Sequence, residues 1–235
     1  MTSNKNTDKL PEIKRDAPLK SRLISITLIG FDDVFGKIGA LYFRLLCRLI
    51  DKAAKDYSLV KNLIEKEIKS NDKLNYRLPI VDHLEDCFSS VNRIIRIIRM
   101  LEKGIIKKKS IGYCPVCNQK IEEISTILNK CDFLKFSKLK AYKKIQSQSI
   151  SKIRNRIEHI DEDIYLGKIN GSIFIDIDEN YKNITLNGIN CSFSQLVSII
   201  ESHHEFMLEI ISNLPKKGKG GEFYDENDKK WKQPR

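Results

Sequence analysis

Residues 80–104 read IVDHLEDCFSSVNRIIRIIRMLEKG, and their periodicity decides the fold. Ile80, Leu84, Phe88, Val91, Ile95, Ile98 and Leu101 recur at steps of three and four, which places them on one face of a helix. Gly104 stands where a left-handed cap would end it. Upstream, Phe35, Ile38, Tyr42, Leu45 and Leu49 predict a helix, and Tyr57, Val60, Ile64 and Ile68 a second, shorter one. Downstream, Ile121, Ile124, Leu128 and Cys131 predict a further helix, and Ile150, Ile153, Ile157, Ile160 and Ile164 form a narrow apolar stripe on another. The pattern then changes period. Ile173, Ile175 and Ile177 alternate, Asp178-Glu179-Asn180 follows as a turn, and Ile184 and Leu186 resume, so residues 171–187 predict a small hairpin. Ser192 and Gln195 have the spacing of a capping box. It would open a last helix lined by Leu196, Ile200, His203, Met207, Ile210 and Leu214 and stopped before Pro215. The expected fold is mostly α: a helical bundle with a small β-hairpin insertion before the last helix.

Residues 1–20 contain Pro11 and Pro18 and show no periodicity, so they are expected to form a disordered arm. Residues 215–235, with Lys216, Lys217, Lys219 and a Gly-rich run, are read as a disordered basic tail, which leaves 21–214 as one domain. A chain of 235 residues, 41% hydrophobic and 31% charged, has enough apolar material for a core without disulfides. Phe35 to Ile50 is the most apolar region, but Lys37, Arg44 and Arg48 interrupt it and it is too short for a bilayer span. With no secretion pattern at the start, a cytoplasmic location follows, where the six cysteines would be reduced. The net charge of +11 favours a polyanionic partner, because Lys and Arg gain affinity by releasing phosphate counterions.

Within the isoleucine-striped helix, Arg154-Asn155 is followed by Glu158-His159-Ile160-Asp161-Glu162. This segment resembles the motif of HEPN proteins, in which an Arg, usually followed by a small polar residue, precedes a His by four to six residues on a helix of a short bundle. Here the intervening residues number four. The resemblance implies a HEPN-type bundle and a metal-independent endoribonuclease of toxin or anti-phage-defence kind. In that reading His159 is the general base, Arg154 stabilises the scissile phosphate, and Asn155 orients the phosphate or the His through its amide. At about 100° per residue, Arg154 and His159 lie roughly 140° apart, on opposite flanks of the stripe. They cannot form one compact site on one straight helix, so either the helix distorts between them or two copies each supply one half of a shared cleft. The family's habit of dimerising implies a homodimer whose two motifs meet at the interface. One family variant carries, two residues after the His, a Tyr that a partner antitoxin modifies; here that position is Asp161, which puts this partnership in doubt. The alternatives are a surface ion pair between Arg154 and Glu158, and a catalytically silent HEPN-like scaffold assembling with a defence or regulatory partner.

Arg93, Arg96, Arg99 and Lys103 recur at helical spacing, and Lys107 to Lys109 extend the charge. Such a row is either a solvated face or the place where the RNA backbone is held. Cys114-Pro115-Val116-Cys117 resembles half of a zinc knuckle, with Cys131 as a third ligand. A structural zinc needs four ligands, so the rest would come from a His or a second subunit, and a reduced turn pair is the other reading. No cofactor is required for catalysis. His203-His204 lies on the last helix, with His203 facing the core and His204 facing away. His83 has no local partner that suggests chemistry.

Overall fold

A computed structural model describes residues 10–15, 18–19, 31–70, 72–103, 105–113, 120–128, 136–147, 175–186, 189–213, 216–217, 223–225 and 230–232. Its helices are α1 (Phe31–Lys69), α2 (Leu74–Lys103), α3 (Lys140–Ser147, entered through a 3-10 turn at Phe136–Lys138) and α4 (Phe193–Ser212). The strands are β1 (Ile105–Tyr113), β2 (Lys120–Leu128), β3 (Ile175–Ile177), β4 (Asn183–Leu186), β5 (Ile189–Ser192), β6 (Lys216–Lys217), β7 (Phe223–Asp225) and β8 (Lys230–Lys232). The described residues are mostly helical.

Two apolar clusters set the helix directions. One joins Ala53, Tyr57, Val60 and Ile64 of α1 to Ile80, Leu84, Phe88 and Val91 of α2 and to Phe193, Leu196 and Ile200 of α4. The other joins Phe43, Leu46 and Ile50 of α1 to Ile94, Ile98 and Leu101 of α2, Tyr142 and Ile145 of α3, and Phe206, Met207 and Ile210 of α4. The C-terminal half of α1 therefore meets the N-terminal halves of α2 and α4, so α1 runs antiparallel to both. Lys52 cross-links α1 to α2, reaching Asp56 at 2.7 Å and Asp86 at 2.9 Å.

The two upstream helices expected from the apolar steps are one helix of 39 residues. Ala53 and Ala54 carry the periodicity across the gap between them, and no Pro or Gly interrupts it there. The predicted hairpin is present and larger than expected: β3 pairs antiparallel with β4, Ile175 opposite Leu186 and Ile177 opposite Ile184, and β5 adds a third strand on the other side of β4. Tyr181, in the β3–β4 turn, takes the left-handed conformation with φ 53°. Burial works against the adjacent Asp178 carboxylate. The N–H groups of Asn183 and Lys182 outweigh this and hold its carboxyl below the usual range. Arg77, near the start of α2, fastens the sheet to the helices by donating to the Ile177 carbonyl and facing Asp176 and the buried Glu67 of α1.

The helix expected over 121–131 is instead strand β2 over most of its length, antiparallel to β1 with Lys109 opposite Glu123 and Tyr113 opposite Lys120. Three apolar positions at helical spacing fit either element. Ile121, Ile124, Thr126 and Ile127 are β-branched, and the preceding Ile105–Tyr113 stretch offers a strand to pair with. The arm expected to be disordered over 1–20 is docked where it is described. Leu10 and Leu19 are buried, Tyr57 donates its hydroxyl to the Pro11 carbonyl at 2.7 Å, and Arg15 and the Leu19 N–H share the Asp51 carboxylate at 2.9 Å. Side chains distant in sequence supply these anchors, so no local periodicity announces them. Similarly, the tail read as disordered contains β6, β7 and β8 in one antiparallel sheet.

The capping box is formed: Ser192 Oγ accepts from the Gln195 N–H at 3.1 Å, and Gln195 Oε1 accepts from the Ser192 N–H at 2.9 Å. Ser192→Ala is expected to cost about 1 kcal/mol, read as a lowered denaturant midpoint with an unchanged slope. An unchanged midpoint would show that the cap contributes nothing here.

Candidate nucleic-acid interface

Arg154, Asn155 and His159 lie outside the described residues, as does the whole isoleucine-striped segment. What the structure describes is how the chain enters it. The α3 helix, which immediately precedes the segment, is held against the C-terminal half of α4. Its first N–H groups, from Lys140 and Ala141, both donate to the Glu209 carboxylate at 3.0 Å, filling donors that a helix start leaves unpaired. Lys144 reaches Glu205 at 3.1 Å. Below these contacts Phe136, Tyr142 and Phe206 form an aromatic trio, with Phe206 edge-on to Phe136 at 5.4 Å. Glu209 and Glu205 are not legible as anchors in the sequence, because their partners lie in another helix.

The cationic row is divided between two elements. Arg93, Arg96, Arg99 and Lys103 are all exposed on α2, which ends at Lys103. Lys107 does not continue the helical row: it lies in β1, opposite Ser125. Extended and helical stretches place successive charges differently, so the row is a helix face followed by a strand. A feature missed in the sequence lies on the same helix face, where Asp82 and Glu85 precede the arginines and are exposed as well. Burial and then the charges of Asp82 and Asp86 push the Glu85 carboxyl up.

Cys114 and Cys117 fall in the connection between the paired ends of β1 and β2, and they and Cys131 lie outside the described residues. Cys47, Cys87 and Cys191 are buried and free. Burial pushes the Cys47 thiol up to about 12 and the Cys191 thiol to about 11, so both stay as unreactive thiols. No described helix is long and apolar enough to cross a membrane.

His203 is in the core as expected, but His204 is buried too, at 4% exposure. Packed neighbours cover α4 over most of its circumference, which removes the outward face that a surface helix would have given His204. His203 Nδ1 donates to the Ile199 carbonyl at 2.7 Å, which leaves Nε2 as a buried lone pair with no hydrogen-bond partner among the described residues. Burial lowers its pKa from 6.5 to about 4, with the Ile199 contact opposing. The unfolded chain takes this proton near pH 6.5 and the folded chain only near 4, so stability falls as pH drops through that window and levels off below it. His203→Leu is expected to flatten this dependence in denaturant melts at pH 7, 6 and 5; an unaltered slope would refute the assignment.

No family model matches the chain, and neither does any curated protein or solved structure.

Proposed function

We propose that this chain is a HEPN-like endoribonuclease of the toxin or anti-phage-defence kind, cutting RNA without a metal in a cleft shared by two copies in the cytoplasm. The observation that carries the reading is the Arg154-Asn155 pair followed by His159 on a segment with an isoleucine stripe. The mostly helical fold and the exposed arginine row of α2 support it, because a short bundle is the required setting and a cationic face suits an RNA backbone.

In this reading His159 takes the proton from a ribose 2′-hydroxyl, and the 2′-oxygen attacks the adjacent phosphorus. The Arg154 guanidinium neutralises the charge that grows on the phosphate oxygens, and Asn155 orients the phosphate through its amide. The 5′-oxygen leaves, taking a proton from a water whose hydroxide the His159 imidazolium neutralises, and a 2′,3′-cyclic phosphate remains. DNA lacks the attacking hydroxyl and survives. A zinc held by Cys114, Cys117 and Cys131 with a fourth ligand would be structural and outside this chemistry. Toxicity would call for an antitoxin or a defence-system partner.

Purified protein incubated with single-stranded RNA, with and without chelator, tests the proposal. Cleavage that survives chelation and leaves cyclic phosphate ends is expected. Intact RNA under both conditions would overturn the enzyme reading in favour of a silent scaffold of the same fold.

A further inference from the structure

The outer face of α2 carries Leu78, Asp82, Glu85, Ser89, Arg93, Arg96 and Met100, separated by steps of four, three, four, four, three and four residues. These steps keep all seven on one side of the helix, and they read the same in both directions from Ser89. Leu78 is 61% exposed, Met100 is partly exposed, and the five residues between them are exposed. The chemistry is also two-ended about Ser89: an apolar residue at each end, two carboxylates on one side and two guanidinium groups on the other.

Within one chain this arrangement is unfavourable. Asp82 and Glu85 stack three residues apart, as do Arg93 and Arg96, and like charges at that spacing repel on a helix surface. No ion pair or hydrogen bond from any of the four side chains is found among the described residues. Asp86, by contrast, is already held by Lys52 at 2.9 Å.

We propose that two copies of this chain pair antiparallel along α2, on a two-fold axis passing by Ser89. Pairing about that axis sets Glu85 of each copy opposite Arg93 of the other, Asp82 opposite Arg96, and Leu78 opposite Met100. The small Ser89 meets its own copy at the centre, where it lets the helix backbones approach. A two-fold contact requires a patch complementary to itself, and this face meets that requirement. RNA fits the arginine half alone, since the acidic half of the same face would repel phosphate. The contact is ionic and exposed at its rim, so it is weak and sensitive to salt. It takes Arg93 and Arg96 out of the cationic row proposed for RNA and leaves Arg99, about 80° round the helix from Ser89, together with Lys107 of β1. The pairing is read from α2 alone and does not rest on the catalytic reading.

Sedimentation equilibrium of the full chain tests the pairing without RNA. The wild type is expected to form a dimer whose dissociation constant rises about tenfold or more between roughly 50 mM and roughly 500 mM salt. Asp82→Arg/Glu85→Arg and Arg93→Glu/Arg96→Glu are each expected to be monomeric, with helical circular dichroism like that of the wild type. Mixed together they are expected to restore a one-to-one dimer, because each now carries a single sign of charge. Ser89→Cys is expected to cross-link to itself on oxidation. A wild type that is monomeric at low salt overturns the proposal. So does a dimer indifferent to both charge reversals, which would still leave the shared catalytic cleft open through another surface.

Discussion

His159→Ala is expected to lower the rate of RNA cleavage by about 10²- to 10⁴-fold, the range that a positioned general base contributes. Arg154→Ala is expected to lose about 10²- to 10³-fold, as when one donor to a developing oxyanion is removed. The two groups act on the same phosphodiester in one step, so the double variant should be little worse than the poorer single variant. Both singles should keep the wild-type melting transition, since the losses are assigned to chemistry and not to folding. The measurement is initial cleavage rate on one single-stranded RNA in the presence of chelator. If both variants cut as fast as the wild type, the motif is not the catalytic group, whatever activity the preparation shows.

Phe206→Ala has the largest expected effect on stability. Phe206 is fully buried and packs against both Phe136 and Tyr142. Deleting a buried phenyl ring removes its transfer energy and leaves a cavity, together costing about 3–5 kcal/mol. The loss should not be uniform. The trio is the apolar half of the clamp that holds α3 to α4, so amide exchange in residues 140–147 should accelerate more than exchange in the second half of α1, whose Tyr57, Val60 and Ile64 pack in the other cluster. A cost below about 1 kcal/mol would mean that the site collapses around the missing ring, and that the Glu209 and Glu205 contacts suffice to hold α3.

Elements whose burial follows from their own periodicity are legible in the order of residues. The apolar steps of α2 and α4 mark residues that are buried, and the Ser192 and Gln195 spacing marks a cap that forms. The hairpin of β3 and β4 is legible because alternation and turn residues occur together there. The β1–β2 pair is not, because its apolar positions also satisfy a helical period and only a neighbouring strand can choose between them. For the site, the motif and the arginine row are visible as spacing. The acidic counterpart on α2 and the Glu209 clamp are not, because each depends on what faces it across space.

The amino-acid order alone determined that helices dominate, where α2 and α4 bury their faces, and that an Arg-Asn and His pair sits on an apolar-striped segment. These are properties of period, and period is local. Tertiary contact decided that α1 is continuous, that the described residues between 10 and 19 dock instead of dangling, and that His204 is buried beside His203. It also decided that the four outer-face charges of α2 find no partners among the described residues of their own chain. Each of those outcomes depends on a group brought close from elsewhere in the chain, and no run of neighbouring residues contains that information.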